Sequence, residues 1–129
     1  MTEENVELLR RGYEAYRRGD IQAVSELFDP EIEIYQSERL PWGGLYRGPE
    51  GAGQFFGKLT ETIDSEVDPD QFVDDEEDHV VVFGCSRGKV RATGRNFDVA
   101  AVHVWTIREG KAVRFESYID TPKMREALK

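Results

Sequence analysis

Residues 101–120 read AVHVWTIREGKAVRFESYID, two alternating runs rich in Val, Ile, Phe, Trp and Tyr that meet at Arg108-Glu109-Gly110-Lys111. β-Branched and aromatic residues on either side of a glycine-bearing turn predict a β-hairpin. With Glu109-Gly110 as a two-residue turn, Arg108 faces Lys111, and counting outward pairs Thr106 with Val113, Val104 with Phe115 and Val102 with Ser117 on one face. The other face pairs Trp105 with Arg114, His103 with Glu116 and Ala101 with Tyr118, setting a cation over an indole and a carboxylate beside an imidazole. The first set is apolar and is expected to close over the interior. A slip of one residue would exchange the sets.

Length and composition narrow the function classes. At 129 residues the chain fits one domain, 1–129, large enough to bury about two thirds of its unfolded surface without metal or disulfide staples. A net charge of −9 argues against a nucleic-acid or membrane partner, because a phosphate backbone or an anionic bilayer would repel the chain. Cys85 is the only cysteine, so no intrachain disulfide forms and a cytoplasmic setting is expected. Within its apolar run that thiol reads as a packed side chain rather than a nucleophile. The start MTEENVELLRRG lacks the basic end and apolar centre of a secretion signal, and apolar runs such as Val80 to Phe83 are far too short to span a bilayer. His79 and His103 have neither i, i+4 nor His-x-His spacing, so no metal site and no cofactor are expected.

Outward from the hairpin the pattern alternates helix and strand. Val6, Leu9, Tyr13 and Tyr16 recur at helical spacing and predict a helix over Glu3 to Arg18, ended by Gly19. Asp20 is placed to cap a second, shorter helix carrying Ile21, Val24, Leu27 and Phe28, closed by Pro30. Glu31 to Gln36 alternates, with Ile32, Ile34 and Gln36 on one face of a half-buried strand, and Pro41-Trp42-Gly43-Gly44 is a loop. Gly48-Pro49-Glu50 opens a third helix striped by Phe55, Phe56, Leu59 and Ile63. Asp64 to Asp78 holds nine acidic residues around Val67, Phe72 and Val73, which predicts a short strand and a solvated turn. Strands over Val80 to Val90 and Asn96 to Ile107 precede the hairpin, and Thr121-Pro122 starts a short C-terminal helix with Met124 and Leu128 inside. This order gives an α+β architecture: a curved, mainly antiparallel sheet shaped as a cone, three helices on its concave face, and a conical space left between them.

The Tyr13 to Gly19-Asp20 helix junction, Leu27-Phe28-Asp29-Pro30, Tyr46-Arg47-Gly48-Pro49, His103-Val104-Trp105, Gly110-Lys111 and Tyr118-Ile119-Asp120 follow one another in an order and spacing that resembles the nuclear-transport-factor-two-like cones. The likeness covers the whole chain and points to the SnoaL-like branch, alongside ketosteroid isomerases and limonene-epoxide hydrolases. That resemblance implies the cone fold and a homodimer. It leaves the chemistry open, since the fold hosts isomerases, hydrolases, cyclases, dehydratases and non-catalytic binders. Aligned on Gly19-Asp20, the isomerase's helix tyrosine falls at Gly12, its carboxylate base at Gln36 and its neutral acid at Val102. The aspartate of the hydrolase ending, and the acid of the polyketide cyclases, fall at Ser117.

Two readings of function follow. In the first, the domain performs cofactor-free isomerisation, cyclisation or hydrolysis, with His103 and Glu116 as the catalytic candidates because a near-neutral imidazole beside a carboxylate suits proton transfer. In the second, it is a non-catalytic ligand-binding or protein-interaction module, and the His103 face is the convex one, packed on a second subunit. Either way the expected partner is a small hydrophobic molecule such as a polycyclic or isoprenoid-like metabolite. Its expected contacts are Tyr16, Gln36, Trp42, Phe56, Val102, Val104, Phe115 and Ser117. Asp120 is assigned to capping Lys123.

Overall fold

Leu9 and Tyr13 are buried along one side of a helix that carries charged residues elsewhere round its axis, which is what the 3.6-residue spacing of its apolar residues demands. The computed structural model describes residues 2–129. Its elements run α1 (Thr2–Arg17), α2 (Ile21–Ser25), β1 (Phe28–Gln36), β2 (Gly44–Arg47), α3 (Gly48–Thr62), β3 (Ile63–Asp74), β4 (His79–Val90), β5 (Asn96–Arg108), β6 (Lys111–Ile119) and α4 (Thr121–Ala127). The Asp20 carboxylate accepts from Ala23 N at 3.0 Å and that of Asp120 from Lys123 N at 3.2 Å, so both expected N-caps form. No described helix is long and apolar enough to cross a membrane.

The six strands form one curved, unclosed sheet in the order β2-β1-β6-β5-β4-β3, antiparallel except where β1 runs parallel to β6. With its helices this is the α+β cone expected. Ile32, Ile34 and Gln36 share the inner face of β1, at 1%, 0% and 4% exposure. Three elements differ from the sequence reading. The second helix, expected to carry Leu27 and Phe28 and to close at Pro30, ends at Ser25, and β1 begins at Phe28 rather than Glu31 because Phe28 pairs with Ala112 of β6. The loop after Trp42 returns as a short strand, β2, and β3 is a full twelve-residue strand rather than a short one. Its acidic residues do not prevent this, because β3 is an edge strand whose outer side meets water. At Gly84 on β4 an added Cβ would lie 2.2 Å from the Asp68 carbonyl oxygen of β3, so only glycine admits that approach. The approach lies beside a register shift between Pro69 and Gln71.

The decisive difference lies in the hairpin. Arg108 faces Lys111 as expected and Ile107 faces Ala112, but the register then shifts, and Thr106 faces Arg114 with Val113 left unpaired. Every pair beyond moves by one: Trp105 with Phe115, Val104 with Glu116, His103 with Ser117, Val102 with Tyr118. The faces re-sort accordingly. Trp105, Phe115, His103 and Ser117 are buried together, while Glu116 and the exposed Tyr118 share the outer face with Val102 and Val104. The expected roles of Val102 and Val104 as cavity wall, and the expected His103–Glu116 pair, are therefore corrected by one bulged residue.

At the turn itself Glu109 and Gly110 both take positive φ, 52° and 76°, the two-residue geometry that matches strand twist but strains a side chain. The exposed Glu109 bears that strain. Glu109→Asn is expected to raise the unfolding free energy by about 0.5–1 kcal/mol, read as a higher urea midpoint at unchanged slope. A lowered midpoint would show that Glu109 contributes a stabilising contact that outweighs its backbone strain.

Candidate functional site

Between the sheet and the helices lies a hollow of about 90 Å³. Of the expected contacts, Tyr16 from α1, Trp42 from the loop before β2, Phe56 from α3, Gln36 from β1, and Phe115 and Ser117 from β6 reach its wall. Val102 and Val104 do not, for the reason of register given above. Sequence reasoning missed Tyr13, Trp105 and Ser86, which also line it. Among the described residues the wall carries no Asp, Glu, Lys or Arg side chain. Glu116 lies on the opposite side of the sheet, where it receives the Tyr118 hydroxyl at 2.7 Å and pairs with Arg114 at 3.2 Å.

His103 faces inward, and its surroundings come from three elements. The Tyr13 hydroxyl on α1 lies 2.7 Å from His103 Nδ1, and Trp105 Nε1 on β5 donates to the same hydroxyl at 2.9 Å. The Tyr13 and His103 rings lie near parallel, 7° apart, and Phe115 of β6 packs edge-on against the imidazole at 4.9 Å between centroids. Burial among these rings disfavours the charged imidazolium and lowers the His103 pKa from 6.5 to about 4. The same burial raises the Tyr13 phenol above its ordinary value, with the Trp105 hydrogen bond opposing more weakly. At neutral pH both groups are uncharged. On α1 the interior phenol thus comes from Tyr13 and not from Gly12, whose Cβ position is already filled by Leu27 at 2.5 Å. On β5 the interior polar group comes from His103 rather than Val102.

The remaining polar atoms of the wall are few and neutral. Gln36 Oε1 accepts from Trp42 Nε1 at 2.8 Å, which fixes the indole and points the amide by default. Because Oε1 is the acceptor, the Gln36 NH₂ group remains with two donors for other partners. Tyr16 and Ser65 hydroxyls share a hydrogen bond of 2.9 Å. Ser117 and Ser86 are buried on the hollow's sheet side. Such a wall can solvate one or two oxygen functions of a bound molecule and otherwise offers apolar contact. It has no carboxylate to take a proton.

A family model described as a SnoaL-like domain matches residues 9–115. Solved structures agree in architecture. An NTF2-like protein of unknown function from Burkholderia pseudomallei is 28% identical, with a TM-score of 0.90 and 98% of each chain covered. TerC, co-crystallised with polyporic acid, is 28% identical at a TM-score of 0.87, with 97% of this chain and 98% of TerC covered. A candidate polyketide cyclase from Xanthomonas campestris has a TM-score of 0.87 over 99% of this chain and 98% of its own, but at 17% identity it speaks for the fold alone. A comparison with curated proteins finds no match.

The lowered His103 pKa fixes a sign for acid sensitivity. The folded protein holds the imidazole neutral down to about pH 4 whereas the unfolded chain protonates it near 6.5, so the unfolded state binds more protons between those values. The stability this group supports is complete above about pH 6.5 and is lost as pH falls toward 4, by about 3 kcal/mol in all. His103→Gln is expected to flatten that part of the stability curve relative to the parent protein, measured by urea unfolding at half-unit pH steps. An identical slope in both would place the imidazole in contact with water or an anion.

Proposed function

This chain belongs to the SnoaL-like domain family, and we propose that its interior hollow binds a small, uncharged, mostly apolar molecule. The observation that carries this reading is the wall itself: aromatic and aliphatic side chains interrupted by a handful of neutral polar atoms, with no carboxylate or cation of the described residues on it. That TerC was co-crystallised with polyporic acid supports a small-molecule role for the same fold at 28% identity. A hollow of about 90 Å³ is on the scale of a single ring, next to the roughly 150 Å³ apolar cavity that admits a benzene, so a compact ligand fits better than a polycycle. Binding is favoured over isomerase, cyclase or hydrolase chemistry because Glu116 lies outside and no wall residue is a carboxylate base.

Two finer points belong to the same reading. The sole cysteine, Cys85, is half-buried and free, which suits a reducing, cytoplasmic setting. The outer face of the sheet, we propose, pairs with a second copy of the chain. Phe83 and Tyr118 are 41% and 47% exposed there, flanking Val102 on the neighbouring strands, and the Tyr35 ring lies tilted beside Tyr118 at 6.0 Å between centroids. An apolar stripe on a sheet of this size is a surface that water disfavours. Alongside it Arg47, Glu33, Arg114 and Glu116 neutralise one another in a ladder within the chain, so covering them strands no charge.

Ser117→Phe places a ring in the hollow. It is expected to remove any small-molecule adduct seen by native mass spectrometry of the purified protein, with the fold retained by circular dichroism; an adduct that survives in the variant would locate binding elsewhere. Phe83→Glu is expected to convert the dimer to monomer in sedimentation velocity at micromolar concentration. A parent protein that already sediments as a monomer would refute the pairing.

A further inference from the structure

We propose that the hollow selects molecules bearing a carbonyl oxygen, and that His103 supplies the hydrogen-bond donor, its tautomer fixed by Trp105 acting through Tyr13. This rests on the reading of the hollow as a small-molecule site. Trp105 has an indole nitrogen that can only donate. It donates to the Tyr13 oxygen at 2.9 Å, and that oxygen lies 2.7 Å from His103 Nδ1. Two proton arrangements are consistent with the second distance. If Nδ1 carried the proton, the Tyr13 oxygen would accept twice, and the phenol's own proton would point at no acceptor among the described residues. A buried donor left in that state costs about 1–3 kcal/mol. If the phenol donates to Nδ1, each of the three groups is satisfied in turn, from Trp105 to Tyr13 to His103. Burial, which keeps the imidazole neutral, leaves room for only one ring proton.

That proton is then on Nε2, the nitrogen turned away from Tyr13. No hydrogen-bond partner for Nε2 occurs among the described residues, and His103 lines the hollow beside its cross-strand neighbour Ser117. Among the described residues Tyr13 is the only titratable group in hydrogen-bond contact with His103, and no charged side chain faces it from α1, α3, β1, β4 or β6 across the hollow. The imidazole therefore presents a neutral N–H donor into an apolar space. An acceptor oxygen satisfies it. A hydrocarbon of the same shape leaves it buried and unpaired, and an ammonium or other pure donor cannot pair with it. Trp105 touches the ligand region as packing, but in this scheme it is a positioning residue, because its N–H decides where the phenol proton goes.

The matched probes are cyclohexanone and methylenecyclohexane, which differ in the carbonyl oxygen and little else. Their affinities for the parent protein would be measured by NMR titration, with the His103 tautomer read from long-range ¹H–¹⁵N correlations in the free protein. The expected result is the Nε2–H tautomer and a preference of about tenfold or more for the ketone, the scale of one hydrogen bond. In Trp105→Phe and Tyr13→Phe the preference is expected to shrink toward unity and the tautomer signals to move toward a mixture, a shift that loss of packing alone would not produce. Both readouts in the parent protein stand even where a variant fails to fold. An Nδ1–H tautomer overturns the proposal, and so do equal affinities for the two probes, which would leave the hollow as an unselective apolar site. Binding of neither probe overturns the small-molecule reading itself and this inference with it.

Discussion

One unpaired residue, Val113, sets which side chains this sheet turns inward. Ahead of it, the hairpin pairs Arg108 with Lys111 and Ile107 with Ala112; beyond it, β5 and β6 are displaced by one, so that Trp105 meets Phe115 at 4.3 Å between ring centroids and His103 meets Ser117. A bulge leaves one residue unpaired and disrupts the ladder locally. Here it has a compensation that can be named residue by residue. The regular register would put Arg114 beside Trp105 and Glu116 beside His103 on one side of the sheet. The bulged register lets both aromatic rings bury together, each worth about 2–3 kcal/mol against exposure, and leaves Arg114 and Glu116 free to pair outside. Burying either charge unpaired would cost several kcal/mol, well beyond one lost ladder hydrogen bond.

The same sorting explains how the chain carries 26 acidic residues around a wall that has none. The charges reach the outer face and the turns, where Arg47–Glu33–Arg114–Glu116 form a ladder across β2, β1 and β6, and where the Asp75 carboxylate, close to His79, ties the turn before β4 through backbone hydrogen bonds. Indoors, polarity is confined to hydroxyls, amides and one imidazole. Neutral groups suit such a space because each can be satisfied by a single partner, whereas a carboxylate there would need two or three donors or would take up a proton.

How much of this is legible without coordinates follows from where the physics is local. Helices α1, α3 and α4, both aspartate N-caps and the inward set Ile32, Ile34 and Gln36 depend on spacing within a few residues, and the sequence states them directly. Tyr16, Trp42, Phe56, Phe115 and Ser117 reach the hollow by the same periodicities. The Val113 bulge leaves no mark: Lys-Ala-Val-Arg-Phe alternates acceptably in either register, with no glycine to flag the extra residue. Its energy comes from β5, so only pairing the strands reveals it. The length of β3 was hidden for a related reason, since edge-strand acids look like loop acids until the neighbour is known. Tyr13 was readable as a helix's buried face, but not as the partner of a histidine ninety positions away.

That distance matters for how the site is held. Tyr13 stands on α1, His103 and Trp105 on β5, Phe115 on β6, and each ring contacts at least two of the others. No member can turn without displacing a packed neighbour, so the hydrogen-bonded trio has the rigidity of the core that contains it. The converse also holds. Because the phenol arrives from the first helix and the imidazole from the fifth strand, the trio exists only once α1 has docked on a sheet already in its bulged register. A chain in the regular register that kept Phe115 inward would have to turn Trp105 and His103 to the other side and leave the Tyr13 hydroxyl buried against aliphatic side chains, a state disfavoured by the unsatisfied phenol as well as by the misplaced rings. The polar trio therefore acts with the apolar packing in selecting the register, and the site's chemistry and the fold's specificity are two consequences of one arrangement.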